Sequence, residues 1–449
     1  MLPRLSTVAA ALLLLAGSST VVTGFVLPSP ASVFSKMVHC SETEAAMAPL
    51  IAPSEGDIIP DAYFVVFKSG TKAKEHSSWV QSLHSQSAWA SLDDEQGGVR
   101  HVYDMGSFQG LAGRFGPKVL DEIRLHPEVA YVERDQMVYT SEVQKDAPWG
   151  LARISHRKTL TLKNYRKYIH NPNGGDGVTV FVIDTGIYVK HDQFQGRASW
   201  GATIPRGDPD ADDNGHGTHC AGTIGSAAYG VSKKANIVAV KVLRSNGSGT
   251  MSDVVAGVDF AIQGHLKLRS QQGGKYKGSV ANMSLGGGKS RPLDAAVANA
   301  VGQGLHFAVA AGNDDRDACN YSPAGVDVAI TVGASSRDDS RAYFSNHGPC
   351  VDIFGPGKDI ESTWIGFKNA KRTISGTSMA SPHVAGLVAY YLSLSPESNS
   401  GFHSGPITPK AMKALLKERA TRDVLTDVNY RTPNLLIYNS HDQDKYLAW

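Results

Sequence analysis

The feature that most constrains the fold is the regular alternation of apolar runs and helical segments that begins at residue 178. Several of the apolar runs are continuous, which is typical of strands covered on both faces. Six runs are predicted as strands, at 178–183, 237–243, 279–285, 305–310, 328–332 and 351–353. Helices are predicted at 216–226, 251–263, 293–302 and 378–394. Strands that alternate with helices predict an α/β domain with a doubly wound, mostly parallel sheet.

A smaller unit precedes this domain, between residues 57 and 141. Its pattern predicts the order strand, helix, strand, strand, helix, strand, at 62–67, 74–84, 99–105, 111–115, 117–125 and 129–138. This is the order of a split βαβ unit, so we expect a small α+β, ferredoxin-like domain. The polar stretch 140–146 follows it, and we place the large domain at 142–439.

The amino terminus has the pattern of a secretory signal peptide, which we place at residues 1–20. Arg4 precedes the apolar run 8–16, and small residues follow it. The alternative is a membrane anchor, but the run is much shorter than the roughly 20 apolar residues that span a bilayer. Residues 21–56 are rich in Ser, Ala and Pro and predict a flexible leader, whereas 440–449 predict a loose tail. No later run is long enough to span a membrane, and the net charge of +2 gives no reason to expect nucleic acid as a partner.

Three reactive side chains stand at the ends of predicted elements, where open α/β sheets place their sites. Asp184 ends an apolar strand, His216 lies among small residues at a helix start, and Ser378 lies in the first turn of a helix. Each residue alone has an ordinary structural interpretation as a turn or cap residue. Together they supply what an activated serine needs, namely a base beside the hydroxyl and a partner that orients the base.

The segments around these residues resemble the three signature segments of the subtilase family. They are 184–186 (DTG), 216–219 (HGTH) and 376–383 (GTSMASPH), and their chain order of Asp, His and Ser is that of subtilisin. The resemblance implies a subtilisin-like fold and a serine endopeptidase, with Ser378 as nucleophile, His216 as base and Asp184 as the orienting group. It extends from about residue 58 to residue 439.

Other segments resemble particular branches of the family. Residues 149–155 and 240–249 are similar to the proteinase K branch. Residues 251–255, and 317–320 together with Cys350, are most similar to cerevisin, the fungal vacuolar protease B. We therefore expect a vacuolar destination, with secretion from the cell as the alternative.

The resemblance also implies the residues that complete the site. Asn313 would donate its side-chain amide to the oxyanion, beside the backbone N–H of Ser378; an ordinary turn residue is the alternative. Two edges would bind an extended peptide through main-chain groups. They are Ser284, Leu285 and Gly286 on one side and Gly247, Ser248 and Gly249 on the other. The small residues Ala310, Ala311 and Gly312 leave room for a sizeable apolar group, so we expect a loose hydrophobic or aromatic preference.

The four cysteines and three sequons fit a protein of the secretory pathway. Cys319 and Cys350 both lie in loop-like sequence and form the preferred disulfide, although spacing alone leaves the connectivity open. Cys220 is expected to be a buried free thiol. The sequons begin at Asn246, Asn282 and Asn320, of which Asn282 lies in the expected substrate edge and is a poor acceptor.

Catalysis by this family requires no cofactor, but the resemblance implies a structural calcium ion at Asp352. Its further ligands would be the backbone carbonyls of Asp327 and Ala329. The alternative is an ordinary solvated carboxylate, because calcium takes several oxygen ligands. A zinc site at His216, His219 and Cys220 is disfavoured because no further ligand pattern is present.

The split βαβ unit resembles the inhibitor-like prodomain of subtilases, which assists folding and blocks the cleft with its last strand. We expect a self-processed precursor that is cut near Ser141 and Glu142, is monomeric, and acts on proteins and peptides. A non-catalytic homologue that serves as a binding or decoy protein is the alternative. It is disfavoured because every residue of the triad and the oxyanion site is present.

Overall fold

A computed structural model describes residues 47–52, 57–88, 97–137, 141–271, 276–395 and 406–441 of the chain. The predicted signal peptide, residues 21–46 of the predicted leader and residues 442–449 lie outside this part. Within the described ranges, no helix combines the length and the apolar character that a bilayer crossing needs.

The amino-terminal unit is a five-stranded sheet with two helices packed on it. Its elements are β1 (Leu50–Ile51), β2 (Asp57–Phe67), α1 (Ala73–Ser85), β3 (Gly98–Met105), β4 (Phe108–Arg114), α2 (Pro117–Leu125) and β5 (Val129–Met137). The strands lie in the order β1-β5-β2-β4-β3, and β2 pairs antiparallel with both β4 and β5. Val80 and Ile123 of the helices pack in one buried cluster with Val65 and Leu111 of the sheet. The predicted βαββαβ order is confirmed.

Strand β1 lies within the segment that was predicted to be a flexible leader, and the prediction is wrong at these residues. Leu50 and Ile51 pair in parallel with Val132 and Glu133 of β5. The backbone N–H of Ala48 donates to the Arg124 carbonyl at 2.7 Å. The short apolar stretch is ordered because the edge of β5 offers unpaired backbone groups to it.

The large unit is built on a nine-stranded sheet, with strands in the order β19-β20-β16-β15-β13-β11-β8-β10-β9. All neighbours in this sheet are parallel except β19 and β20. The elements of the unit are β6 (Glu142–Gln144), α3 (Trp149–Ile154), β7 (Tyr168–His170), β8 (Val178–Asp184), β9 (Ala198–Thr203), α4 (His216–Gly225), β10 (Asn236–Lys241), α5 (Met251–Gln271), β11 (Gly278–Met283), β12 (Gly287–Gly288), α6 (Arg291–Gly302), β13 (His306–Ala310), β14 (Tyr321–Ser322), β15 (Ile330–Ser335), β16 (Ile353–Pro356), β17 (Ile360–Thr363), β18 (Lys371–Ile374), α7 (Thr377–Leu394), α8 (Pro409–Arg419), β19 (Thr421–Arg422) and β20 (Leu435–Leu436).

Helices cover both faces of this sheet, and alternate strand residues fill the two cores. Val180 and Val182 of β8 pack with α4 and α7, whereas Phe181 and Ile183 pack with α5 and α6. Helix α7 is buried almost all round, as expected of a helix that is apolar on every side. The doubly wound, mostly parallel fold is confirmed.

Helix α5 and strand β9 are among the elements that differ from the sequence-based expectation. Helix α5 continues to Gln271, beyond the predicted end at 263, because Leu266 and Leu268 extend its packing against the core. Strand β9 was not predicted, because its sequence ASWGAT has neither an apolar run nor a clear alternation. It becomes a strand by pairing with the edge of β10.

The prediction of a loose tail at 440–449 is wrong for His441, which is buried next to the equally buried Asn439. The Asn439 side-chain amide donates to the Ile169 carbonyl at 2.7 Å, and its backbone N–H donates to the Ile154 carbonyl at 2.8 Å. The His441 ring lies 3.2 Å from the Tyr390 hydroxyl. These residues are polar, but each finds a partner inside the domain.

The predicted disulfide between Cys319 and Cys350 is present, with a Cα–Cα distance of 5.2 Å. Cys220 is a free and buried thiol, as expected. Burial raises its pKa well above the ordinary value, so the thiol stays protonated and inert. Cys40 lies outside the described residues.

Candidate active site

The three predicted catalytic residues occupy the ends of three elements in the large domain. Asp184 is the last residue of β8, His216 is the first residue of α4, and Ser378 lies in the first turn of α7. Asp184 Oδ1 lies 2.7 Å from His216 Nδ1, and the carboxylate is fully buried. A carboxylate only accepts hydrogen bonds, so Nδ1 carries the proton and Nε2 of the neutral ring is left as the base.

Close packing between a turn and a helix start brings Asp184 and His216 together. A Cβ atom added to Gly217 would stand 2.1 Å from the Gly186 carbonyl oxygen and 3.2 Å from the Asp184 side chain. The Gly217 N–H also donates to Thr185 Oγ1 at 2.9 Å. Only glycine permits this approach, which explains the small residue beside His216.

Asp212 holds the same junction together and was not singled out from the sequence. Its Oδ1 accepts from the Thr185 hydroxyl and from the Gly215 N–H, both at 2.9 Å. Its Oδ2 accepts from the N–H and the hydroxyl of Thr218, at 3.0 and 2.5 Å. Asp212 lies four residues before α4, whose N-cap is Gly215, so the ordinary capping signal does not identify it.

The electrostatics around His216 suit a proton acceptor. Burial of the ring lowers its pKa, but the charge and the hydrogen bond of Asp184, together with the charge of Asp212, outweigh burial and raise the pKa above its usual 6.5. The neighbouring His219 behaves in the opposite way. Burial lowers its pKa to about 4, although its Nε2–H donates to the Ile360 carbonyl at 2.9 Å. His219 is therefore a neutral packing residue.

The Ser378 hydroxyl donates to the backbone carbonyl of Ser284 at 3.0 Å in this structure. The Ser378 carbonyl in turn accepts from the Ser284 hydroxyl at 2.8 Å. The Ser378 hydroxyl is thus directed at the predicted substrate edge rather than at His216. Catalytic hydrogen bonds often form only when substrate is bound.

Asn313 borders the same cavity as Ser378, with its amide orientation fixed. Its Oδ1 accepts from the Thr377 N–H at 2.8 Å and from the Thr377 hydroxyl at 3.0 Å. The amide nitrogen is left as a donor, 3.7 Å from where a Cβ atom of Gly376 would stand. Both proposed oxyanion donors, this nitrogen and the Ser378 N–H, lie at the amino end of α7, where the helix dipole favours negative charge.

Two cavities flank these residues, and all nine predicted substrate-binding residues line them. The first has a volume of about 420 Å³ and is bordered by His216. The second has a volume of about 260 Å³ and is bordered by Asn313 and Ser378. Gly247, Ser248 and Gly249 line the first; Ala310, Ala311 and Gly312 line the second; Ser284, Leu285 and Gly286 line both. The two cavities share Ser284, Leu285 and Gly286, and between them they border His216, Ser378 and Asn313.

Asp352, the predicted calcium ligand, is bound to a lysine instead. The Lys413 ammonium lies 2.7 Å from Asp352 Oδ2 and donates to the carbonyls of Asp327 and Ala329. These are the three groups that the resemblance assigned to the ion. Because an ammonium group already occupies them, the residues as arranged do not fit a calcium ion.

Comparison with protein-family models gives two matches. The model of the subtilase family matches residues 175–436, and the model of the peptidase inhibitor I9 family matches residues 62–141. The chain belongs to the subtilase family. It is a serine endopeptidase with an I9-type inhibitor prodomain, and no finding supports the non-catalytic alternative.

Similar proteins include fungal members of this family. The chain is 53% identical over 416 residues to "Subtilisin-like serine protease Pen ch 18" of Penicillium rubens, which covers 89% of this chain and 84% of that protein. It is 53% identical over 420 residues to "Alkaline protease 2" of Aspergillus fumigatus, with 89% and 85% covered. A solved structure described as a cold-adapted subtilisin-like serine proteinase shares 46% identity, with a TM-score of 0.57 and coverage of 66% of this chain and 98% of that one.

Proposed function

We propose that this subtilase cleaves proteins and peptides with broad specificity and prefers hydrophobic or aromatic side chains at the cleaved bond. The observation that carries the proposal is the cavity beside Ser378, whose wall is formed by Ala310, Ala311 and Gly312. Small side chains leave space for a large apolar group without a specific polar partner. Asp314 also borders this cavity, and selection of a basic side chain by its carboxylate is the direct alternative.

The proposed mechanism assigns one task to each residue. His216 Nε2 takes the proton of the Ser378 hydroxyl as the oxygen attacks the substrate carbonyl, while buried Asp184 stabilises the imidazolium that forms. The Asn313 amide and the Ser378 N–H hold the negative charge on the carbonyl oxygen. His216 then passes the proton to the leaving amine, and water hydrolyses the acyl-enzyme by the same route in reverse.

Labelling with a sulfonyl fluoride tests the assignment of the nucleophile. We expect one adduct on the active enzyme, and none on the Ser378→Ala variant. Ser375→Ala is the matched control, because the Ser375 hydroxyl lies three residues away and bonds to the Asp359 N–H rather than bordering either cavity. An adduct on Ser378→Ala would refute the assignment.

A mixed peptide library tests the specificity. We expect cleavage after Phe, Tyr or Leu. A strong preference for Arg or Lys would refute the proposed apolar pocket and point to Asp314 instead.

We further propose that the precursor cuts itself near Ser141 and Glu142. Residues 142–144 form β6, which pairs with β7 of the large domain, and Gln144 Nε2 donates to the Ala228 carbonyl at 2.7 Å. These contacts support a mature chain that begins near this strand, whereas residues 138–140 lie outside the described part. Amino-terminal sequencing of the mature enzyme should give Glu142, and the Ser378→Ala precursor should remain uncleaved. Normal processing of that variant would rule out self-cleavage.

The proposed route is the secretory pathway, with the vacuole lumen as destination and secretion from the cell as the alternative. The disulfide between Cys319 and Cys350 supports an oxidising compartment. Asn246 and Asn320 are exposed and suit glycan attachment. Asn282 is fully buried and its Oδ1 accepts from the Ser381 hydroxyl, so it is excluded as an acceptor. Subcellular fractionation distinguishes the two destinations. The mass that the enzyme loses on glycosidase treatment counts the glycans.

A further inference from the structure

The contacts of Lys413 account for its whole hydrogen-bonding capacity. An ammonium group has three donors and no acceptor. In this structure three acceptors surround Nζ: Asp352 Oδ2 at 2.7 Å, the Asp327 carbonyl at 2.5 Å and the Ala329 carbonyl at 2.9 Å. The side chains of Lys413 and Asp352 are only 16% and 10% exposed. The charge is therefore placed in a built site rather than on an open surface.

The three acceptors belong to segments that lie directly before two neighbouring strands of the sheet. Asp327 and Ala329 lie just before β15, and Asp352 lies just before β16, the next strand in the sheet. Asp352 Oδ2 also accepts from the Thr331 N–H at 3.0 Å. Lys413 lies on α8, so its ammonium group joins this carboxy-terminal helix to the starts of two neighbouring strands.

We propose that Lys413 is a tethered cation that performs the structural task of a calcium ion at this position, so that the stability of the domain does not depend on calcium here. A calcium ion needs six to eight oxygens at about 2.3–2.6 Å. To reach the same carboxylate and the same two carbonyls it would have to displace the ammonium group. Lys417 Nζ, 3.4 Å from Asp352 Oδ1, adds a second positive charge that opposes a divalent ion.

A tethered cation differs from a bound ion in its response to the medium. A bound ion stabilises a protein only in proportion to the logarithm of its free concentration, and a chelator removes it. The Lys413 ammonium cannot dissociate from the chain. Removing it by mutation should uncover an oxygen site with the ligand types that calcium prefers.

The test uses the full chain with Ser378→Ala, which removes autolysis, and compares it with the same chain carrying Lys413→Ala. Lys410→Ala is the matched control, because Lys410 lies on the same helix and is exposed. Thermal unfolding is followed by calorimetry with EDTA or with millimolar Ca²⁺, and Ca²⁺ binding is counted by isothermal titration. A variant with both Lys413→Ala and Lys417→Gln removes the remaining repulsion.

In EDTA, Lys413→Ala should lower Tm by roughly 5 °C or more, because a largely buried carboxylate loses its partner. Ca²⁺ should restore much of this loss, and the variant should bind one Ca²⁺ more than the parent chain. The Lys410→Ala control should match the parent in both conditions. If Lys413→Ala is obtained only when produced with Ca²⁺, the proposal is supported. Equal Ca²⁺ stoichiometry in parent and both Lys413 variants, or an unchanged Tm in Lys413→Ala, would overturn it.

Discussion

The contact between Asn313 and Thr377 gives a quantitative test of the proposed oxyanion site. Asn313→Ala removes one donor, and the loss of such a donor costs about 10²–10³-fold in kcat, or about 2.7–4 kcal/mol. That magnitude was measured in subtilisin, another member of the family. Thr377→Val removes the hydroxyl that orients the amide but keeps the Thr377 N–H contact at 2.8 Å. A single hydrogen bond contributes about 0.5–1.5 kcal/mol net, so kcat should fall by about 2- to 13-fold.

The assay is a double-mutant cycle on kcat, with KM and Tm measured alongside. In the Asn313→Ala background there is no amide to orient, so Thr377→Val should have little further effect on kcat. The Thr377 hydroxyl also accepts from the Gly312 N–H at 3.1 Å, and the loss of that bond should lower Tm in both backgrounds. The measurement of Tm therefore separates stability from catalysis.

Asn313→Asp refines the test, because an aspartate oxygen can still accept from both Thr377 donors while the amide donor is lost. This variant should be at least as inactive as Asn313→Ala, since it places an acceptor next to the developing negative charge. If the effects of Asn313→Ala and Thr377→Val on kcat multiply fully, Thr377 does not act through the amide. If Asn313→Ala keeps more than a tenth of the activity, Asn313 is not an oxyanion donor.

Two further predictions concern pH and the disulfide. The raised pKa of His216 means that kcat/KM should fall as the pH drops through a midpoint above 6.5, because the protonated ring cannot act as a base. Asp184→Asn should move this midpoint to lower pH as well as lower kcat; a parent midpoint below 6.5 would contradict the assignment. The disulfide between Cys319 and Cys350 joins residues 31 positions apart, so replacing both by Ser should lower the free energy of unfolding by about 3–4 kcal/mol. Urea unfolding of the sulfonyl fluoride-inhibited enzyme measures this, and an unchanged transition midpoint would refute it.

Regular apolar patterns made most of the fold predictable from the sequence. The run 178–183 alone indicates a doubly covered strand, and Asp184 follows at its carboxyl end, where α/β sheets place their sites. His216 lies 32 residues further on, yet it meets Asp184 because small residues allow α4 to begin against the strand end. Motif resemblance and strand-end geometry therefore led to the same residues independently.

Buried polar side chains with distant partners could not be predicted. Asn439 bonds to Ile169, 270 residues away, and Lys413 bonds to Asp327, 86 residues away. Polarity in a sequence predicts exposure, but a polar group is buried at little cost where its partners are already positioned. Those partners are backbone groups that no side-chain pattern records. The resemblance pointed to the Asp352 carboxylate and the carbonyls of Asp327 and Ala329, and these groups do surround one positive charge. That charge is the ammonium group of Lys413 on α8, which the resemblance did not indicate.

The same physical requirement explains why the site can be preorganised. Asp184, Asp212 and Lys241 are all buried near Thr185, and isolated charges there would be costly. The carboxylates accept from backbone N–H groups and hydroxyls, and Lys241 Nζ donates to the Thr185 carbonyl at 3.0 Å. Each charged group thus forms hydrogen bonds with the backbone around it. These bonds fix the position of His216 before substrate binds. The Ser378 hydroxyl donates to the Ser284 carbonyl, so the proposed attack requires that this one hydrogen bond be given up, whereas the charged groups around His216 already have their partners.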